Sequence, residues 1–177
     1  MSFFRQNYNI FTIKTEYEGV TETLTLEGEL SSNGCDGVIY AHDNANLTIN
    51  GTGSVHGEIC KGSKCGDNDC GFGMAVYADE NSTITINGGT YTNDSDPNYP
   101  SQTDLIYAAR NSKIIINGGT FDCSTPAWTL NCKNDTNSEI IVKGGRFYKY
   151  NPTDKSIESV GKNEIIVPEG YTVIKDG

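Results

Sequence analysis

A short motif that recurs along most of the chain constrains the fold more than any other feature. The motif reads ITINGGTY at 84–91, IIINGGTF at 114–121 and IIVKGGRF at 140–147, after a shorter copy, LTING, at 47–51. Weaker copies occur at 24–28 and 165–171. The six copies start 23, 37, 30, 26 and 25 residues apart. Steps of this length are typical of solenoid proteins, in which each repeat forms one unit of a stack.

A second motif precedes the first in three successive units. It reads VIYA, AVYA and LIYA, and its tyrosine lies seven residues before the start of the first motif. An asparagine occupies a common place in each of the three connecting turns. A looser fourth copy, WTLN, lies at 128–131. Each unit therefore contains at least two short strands with a turn between them.

A unit of about 25 residues with such short strands cannot bury its own apolar face, but stacked units can bury it together. We therefore predict an all-β fold: a single right-handed parallel β-helix (solenoid) of about six coils with N- and C-terminal caps. Residues 1–20 are predicted to form an N-terminal cap or docking segment, with an early strand near 10–13. Residues 21–147 form the coils, and 148–177 form the last coil and C-terminal cap. The alternatives, a β-sandwich or an antiparallel barrel, do not require one residue type at one place in successive units.

Stacking places equivalent side chains above one another. Two rows are predicted to form structural ladders along the axis, one of asparagine amides and one of tyrosine rings: Asn50, Asn87 and Asn117, and Tyr40, Tyr77 and Tyr107. The two longest steps between copies predict loops that protrude from the stack at 52–73 and 92–104.

Charge and hydropathy bear on the possible partners. The formal net charge is −10, and no basic stripe is present. We therefore expect no nucleic-acid partner, since such a partner requires clustered cations. We also expect no membrane partner, because the longest apolar runs are only three or four residues. The first six residues lack the apolar core of a signal peptide, which predicts synthesis in a cytoplasm or a leader already removed.

The repeated I-x-I-N-G-G-T-[FY] motif, the Ile-Tyr-Ala segment and the tail PEGYTV at 168–173 make the chain resemble a known family over about residues 22–175. These are small pectate-lyase-like right-handed parallel β-helix modules of tailed-bacteriophage structural proteins, particularly phages of gut bacteria, and of bacterial surface proteins. The resemblance implies a non-enzymatic structural or host-attachment protein of a virus particle, such as a fibre, spike or capsid decoration. Other virion proteins, further copies in a possible trimer, and a host surface glycan are the implied partners. A bacterial surface adhesin or carbohydrate-binding module at the cell surface is the alternative.

Polysaccharide lyases and hydrolases also use this fold, which makes an enzyme a lesser alternative. Glycoside hydrolysis requires two carboxyl groups across one sugar bond. The candidates lie in turns, namely Asp36, Asp43, Asp79 and Glu80, with Arg110 nearby. Such acids do not recur on one line beyond two coils, so we predict no catalytic residue, no cofactor and no enzymatic activity.

Six cysteines leave three interpretations open: a disulfide-bonded protein, a zinc site in the first loop, or reduced thiols that fill small spaces in the core. They are Cys35, Cys60, Cys65, Cys70, Cys123 and Cys132. The first two lie about one coil apart, and the last two could close a nine-residue loop. The five-residue spacing in the first loop is not that of a zinc knuckle, and we predict no metal. Asp67, Asp69 and Tyr99 lie in the predicted loops and are candidate binding residues.

Overall fold

The computed structural model describes residues 21–32, 37–59, 73–95, 103–133, 137–156 and 164–175, together with the backbone of Phe11–Lys14. Within these ranges the chain forms sixteen short strands, a 3-10 turn at Pro126–Trp128 and no α-helix. No helix of the described part is long and apolar enough to cross a membrane.

The strands lie in three parallel sheets, and each sheet takes about one strand from every unit. Sheet A contains β1 (Phe11–Lys14), β4 (Ile39–His42), β7 (Val76–Ala78), β10 (Ile106–Ala108) and β13 (Leu130–Cys132). Sheet B contains β2 (Thr21–Leu26), β5 (Asn46–Gly51), β8 (Thr83–Ile86), β11 (Lys113–Ile116), β14 (Glu139–Val142) and β16 (Ile165–Ile166). Sheet C contains β3 (Glu29–Ser32), β6 (Ser54–Gly57), β9 (Thr90–Asn93), β12 (Thr120–Asp122) and β15 (Arg146–Phe147).

This arrangement confirms the prediction of an all-β parallel solenoid, here with about four turns rather than six. The three units from β4 to β12 are regular. The flanking units are less complete, since β15 and β16 have only two residues each. The predicted early strand is present as β1, which pairs in parallel with β4.

Two details of the repeat differ from the prediction. Leu24 pairs with Ile49 rather than Leu47, so the first step is 25 residues and not 23. A shift of two residues preserves the inward–outward alternation, so the apolar pattern alone could not distinguish the two registers. The predicted loop at 52–73 also contains β6, whose sequence Ser-Val-His-Gly offers a single apolar residue as a signal.

The core is a narrow column of side chains that alternate inward along each strand. In β11, Ile114 and Ile116 are fully buried, whereas Ile115 between them points outward and is partly exposed. Ile114 pairs with Ile84 on one side and with Ile140 on the other. The column therefore consists of like residues stacked along the axis, as the recurrence of the motif predicts.

The Gly-Gly pair in the repeat is required by the close approach of successive turns. A Cβ atom at Gly118 would lie 2.7 Å from the carbonyl oxygen of Asn87 in the preceding turn. Gly119 has a φ of +109°, a conformation that residues with a side chain rarely adopt. The first glycine thus provides space and the second provides the backbone bend into sheet C.

Two neighbouring isoleucines test this packing. We expect Ile114→Ala to lower the free energy of unfolding by about 2–5 kcal/mol, because it leaves a cavity in the column. Ile115→Ala removes the same atoms from the outer face and is expected to cost less than about 1 kcal/mol. Urea denaturation followed by circular dichroism measures both. Equal losses in the two variants would contradict the assigned inward and outward faces.

Candidate functional site

The asparagine row forms a hydrogen-bonded ladder on the outer face of the solenoid. Nδ2 of Asn87 donates to Oδ1 of Asn50 at 2.8 Å, and Nδ2 of Asn117 donates to Oδ1 of Asn87 at 2.8 Å. Lys143 occupies the next position, where the backbone bonding continues but the amide row ends. The row links three turns through side chains and satisfies the amides with one another.

The tyrosine row stacks along sheet A. The ring centroids of Tyr40 and Tyr77 are 4.9 Å apart, and those of Tyr77 and Tyr107 are 5.2 Å apart. His42 covers the ring of Tyr40 at 4.6 Å. The rings of Tyr40 and Tyr77 are stacked, whereas those of Tyr77 and Tyr107 are tilted by 50°. Because each ring contacts its neighbour along the axis, the geometry is that of a structural ladder.

A buried carboxylate, Asp79, lies beside this row. It accepts hydrogen bonds from the hydroxyl of Tyr77 at 2.9 Å, the hydroxyl of Tyr40 at 3.2 Å and Nε of Arg110 at 2.7 Å. Nη2 of Arg110 and the backbone N–H of Glu80 also donate to it. Sequence reasoning named Asp79 and Arg110 only as isolated catalytic candidates, whereas the structure pairs them across two adjacent turns.

The electrostatics of Asp79 follow from these contacts. Burial alone would raise its pKa, but the hydrogen bonds from Arg110 and Tyr77 and the charge of Arg110 together lower the pKa below its usual value. The pKa of the Tyr77 phenol changes in the opposite direction, because burial and the adjacent carboxylate both raise it. Asp79 is therefore a permanently ionised acceptor at ordinary pH, which does not suit the donation of a proton to a leaving group.

One group of potential metal ligands lies at the same edge of sheet A. Single ligand atoms of His42, Asp43 and Glu80 all lie within 4.8 Å of one another. Nδ1 of His42 is 2.9 Å from a carboxylate oxygen of Asp43, and the Glu80 carboxylate lies 3.3 Å from Nη2 of Arg110. Both carboxylates thus already have cationic or hydrogen-bonding neighbours for which a metal ion would have to compete. In the register of sheet A, Asp43 lies opposite Glu80 and Glu80 lies opposite Arg110, whereas Asp79 lies opposite His42.

The cysteines of the described residues are buried thiols. Cys123 and Cys132 are both free, and Sγ of Cys123 lies 3.3 Å from the carbonyl oxygen of Thr103. Burial raises the pKa of Cys123 to about 11 and that of Cys132 to about 12, so neither is a thiolate at neutral pH. Other predicted candidates lie outside the described residues: Asp36, Cys35, Cys60, Cys65, Cys70, Asp67, Asp69 and Tyr99.

A cleft at the C-terminal end of the solenoid has the features of a binding surface. All the exposed large hydrophobic residues of the described ranges lie at this end, namely Tyr148, Ile166, Tyr171, Val173 and Ile174. Three tyrosines, of which Tyr150 is buried, and four cations line the cleft, with Asp154 as its single carboxylate among the described residues: Tyr148, Tyr150, Tyr171, Lys143, Arg146, Lys149 and Lys175. Its volume of about 1120 Å³ lies just above the usual range for ligand clefts.

Sequence reasoning missed this cleft, although the repeat contained a signal for it. The copy at 140–147 has Lys143 where the preceding copy has Asn117, and Arg146 where that copy has Thr120. These two changes place cations on rows that are uncharged in the preceding turn. A comparison of the chain with protein-family models, curated proteins and solved structures found no match.

The Asp79 cluster predicts how stability responds to acid. Because the folded-state pKa of Asp79 lies below its unfolded value of 3.8, its stabilising contribution is complete above about pH 4 and is lost as the pH falls through the folded-state pKa. We expect Asp79→Asn to lower the free energy of unfolding by about 1–3 kcal/mol at pH 7. The variant should also lose less stability than wild type on acidification from pH 5 to pH 3.

Urea denaturation across this pH range provides the measurement. Asp122→Asn, which changes an exposed aspartate, is the matched control and should follow the wild-type curve closely. Parallel pH curves for wild type and Asp79→Asn would show that the Asp79 carboxylate is not stabilised as the structure indicates.

Proposed function

We propose that this chain is a non-enzymatic structural and attachment module of a particle surface, with a tailed-bacteriophage fibre, spike or capsid decoration as the leading candidate. Continuous parallel pairing of the backbone along the three sheets supports the proposal. In such a stack every turn is held by its neighbours, which gives a rigid rod whose length is set by the number of units. A virion is accordingly the proposed location.

The finer description of the fold belongs to the same proposal. A right-handed, pectate-lyase-like coil is favoured because crossover connections between parallel strands of one sheet are right-handed in about 98% of cases. Terminal segments at 1–20 and 148–177 would cover the sheet edges, since uncovered strand edges promote association with other chains.

Assembly through the N-terminal segment predicts a change in particle mass on truncation. Because β1 pairs with β4, deletion of residues 1–10 retains sheet A, whereas deletion of residues 1–20 also removes a strand. We expect the full chain to form a trimer or larger assembly by light scattering after size exclusion, and the 1–10 deletion to be monomeric with unchanged circular dichroism. A monomeric full chain would contradict N-terminal docking between copies.

A second candidate function is a carbohydrate-binding module or adhesin at the cell surface, which the C-terminal cleft favours. Exposed tyrosines can stack on sugar rings, and the surplus of cations suits an anionic glycan. The exposed fractions of Tyr148 and Tyr171 are 45% and 50%, so both rings are accessible from solvent.

Binding of a polyuronate tests this candidate, with a neutral glucan as the comparison ligand. We expect Tyr171→Ala and Lys143→Gln each to weaken polyuronate binding roughly three- to tenfold, since each removes one contact worth about 1 kcal/mol. Tyr171→Phe retains the ring, and Lys133→Gln changes an exposed lysine outside the cleft, so both should bind like wild type. Equal binding by all variants would exclude the cleft as the polyuronate-binding site. Release of unsaturated or reducing ends from the polyuronate would favour a glycan-degrading enzyme.

A further inference from the structure

Asp104 is a buried carboxyl group that neither the ladders nor the C-terminal cleft involves. It lies two residues before β10 and has only 7% of its surface exposed. Among the described residues its carboxyl receives one hydrogen bond, from Nδ2 of Asn131 at 2.9 Å. No lysine, arginine or histidine of the described residues forms an ion pair with it. A buried carboxylate with a single uncharged donor is an unfavourable arrangement, because little replaces its lost hydration.

The side chain of Asn131 also lacks a hydrogen bond. The residue lies in β13 at the position that follows Tyr107 in the tyrosine row, and it is 3% exposed. Its Nδ2 donates to Asp104, but its Oδ1 is buried without a hydrogen-bond partner. An ionised carboxylate is an acceptor only and cannot satisfy an amide oxygen. The two side chains therefore share one hydrogen bond and lack a proton for a second.

Among the residues that the structure describes, the surroundings of the pair offer no other charged group at neutral pH. Thr125 directs its hydroxyl to the carbonyl oxygen of Thr103 at 2.6 Å. Nδ2 of Asn93 donates to the backbone carbonyl of Asp104 at 3.0 Å rather than to its side chain. The nearby titratable group is the Cys123 thiol, which is neutral because burial raises its pKa to about 11. Among the described residues, uncharged groups therefore surround the carboxyl.

We propose that Asp104 is held as the neutral acid in the folded protein and donates its carboxyl O–H to Oδ1 of Asn131, which closes a cyclic acid–amide pair. The proton comes from solvent, and Nδ2 of Asn131 keeps its existing bond to the other carboxyl oxygen. The buried Oδ1 of Asn131 then has a donor, and the carboxyl no longer carries a charge. The pair links the segment that precedes β10 to β13, the next strand of sheet A, and so joins two adjacent turns.

Because of this acid–amide pair, the stability of the solenoid should change with pH in the direction opposite to the effect of Asp79. Burial raises the folded-state pKa of Asp104 to about 7, against 3.8 for an ordinary aspartate, and the bond from Asn131 offsets only part of this rise. Between these two values the folded state binds more protons than the unfolded state, so the contribution of Asp104 to stability decreases as the pH rises. The hydrogen bond from the carboxyl O–H to Oδ1 of Asn131 is present below about pH 7 and is lost as the carboxyl ionises.

Asp104→Asn tests the proposal, because an amide reproduces the shape and the hydrogen-bond donor of the neutral acid without titrating. The ratio of the wild-type unfolding constant to that of the variant should rise roughly a hundredfold between pH 5 and pH 8, as follows from the two pKa values. Asp122→Asn serves as the control, and the corresponding ratio for this exposed site should change less than about threefold.

Direct titration of wild type keeps the test independent of how the variant folds. The side-chain carboxyl carbon of Asp104, assigned through its bonds in uniformly ¹³C-labelled protein, should show the protonated chemical shift at pH 5.5 and titrate near pH 7. A carboxyl that is already ionised at pH 5.5, or a wild-type-to-variant ratio that stays constant with pH, would overturn the proposal. Neither outcome depends on whether the chain binds a glycan or assembles into particles.

Discussion

Parallel hydrogen bonding between equivalent strands of successive turns is the constraint on which the rest of the structure depends. Once Ile84 pairs with Ile114 and Ile114 with Ile140, the other residues of those strands also lie opposite their equivalents. The sequence must then provide residues that can stack on themselves. Isoleucine fills the column, glycine permits the close approach of the backbone, and asparagine both donates and accepts along one line.

Like charges placed directly opposite one another repel, so long rows of one charge are unfavourable. In the turn between sheets A and B two acids do lie opposite each other, and a change to arginine in the next turn offsets their repulsion. Asp43, Glu80 and Arg110 occupy one row, and Arg110 reaches back to the acid of the preceding turn. The same arginine neutralises Asp79, which is buried beneath the tyrosine hydroxyls. Ion pairing between turns thus replaces stacking of identical side chains where the row is charged.

Much of this fold could be predicted from the sequence because repeated residues have repeated environments. Ile114, Tyr77 and Asn87 each belong to a copy of the motif, and the positions of their strands followed from that recurrence. The register of β2 and the strand β6 could not be predicted in the same way. A shift of two residues leaves the alternation of β2 unchanged, and β6 has only Val55 as an apolar residue. The recurrence places Ala109, not Arg110, opposite Asp79, so the ion pair depends on an arginine side chain that reaches back across one position, which periodicity does not define.

The residues with distinctive chemistry are those that depart from the repeat. Asn131 occupies the position after Tyr107 in the tyrosine row, where an amide replaces the ring. This amide donates a hydrogen bond to the carboxyl of Asp104. Lys143 follows an asparagine row, ends the amide ladder and contributes a cation to the C-terminal cleft. In both places the residue of one turn differs in chemistry from the residue opposite it in the preceding turn. The difference leaves a hydrogen-bonding group or a charge without an equivalent neighbour in the stack. The buried Oδ1 of Asn131 requires a donor, because an unsatisfied buried polar group is costly. The exposed Lys143 is solvated and is available to an anionic ligand. In this solenoid, the departures from the repeat are therefore where chemistry beyond the stack becomes possible, whereas the conforming residues are accounted for by the stack alone.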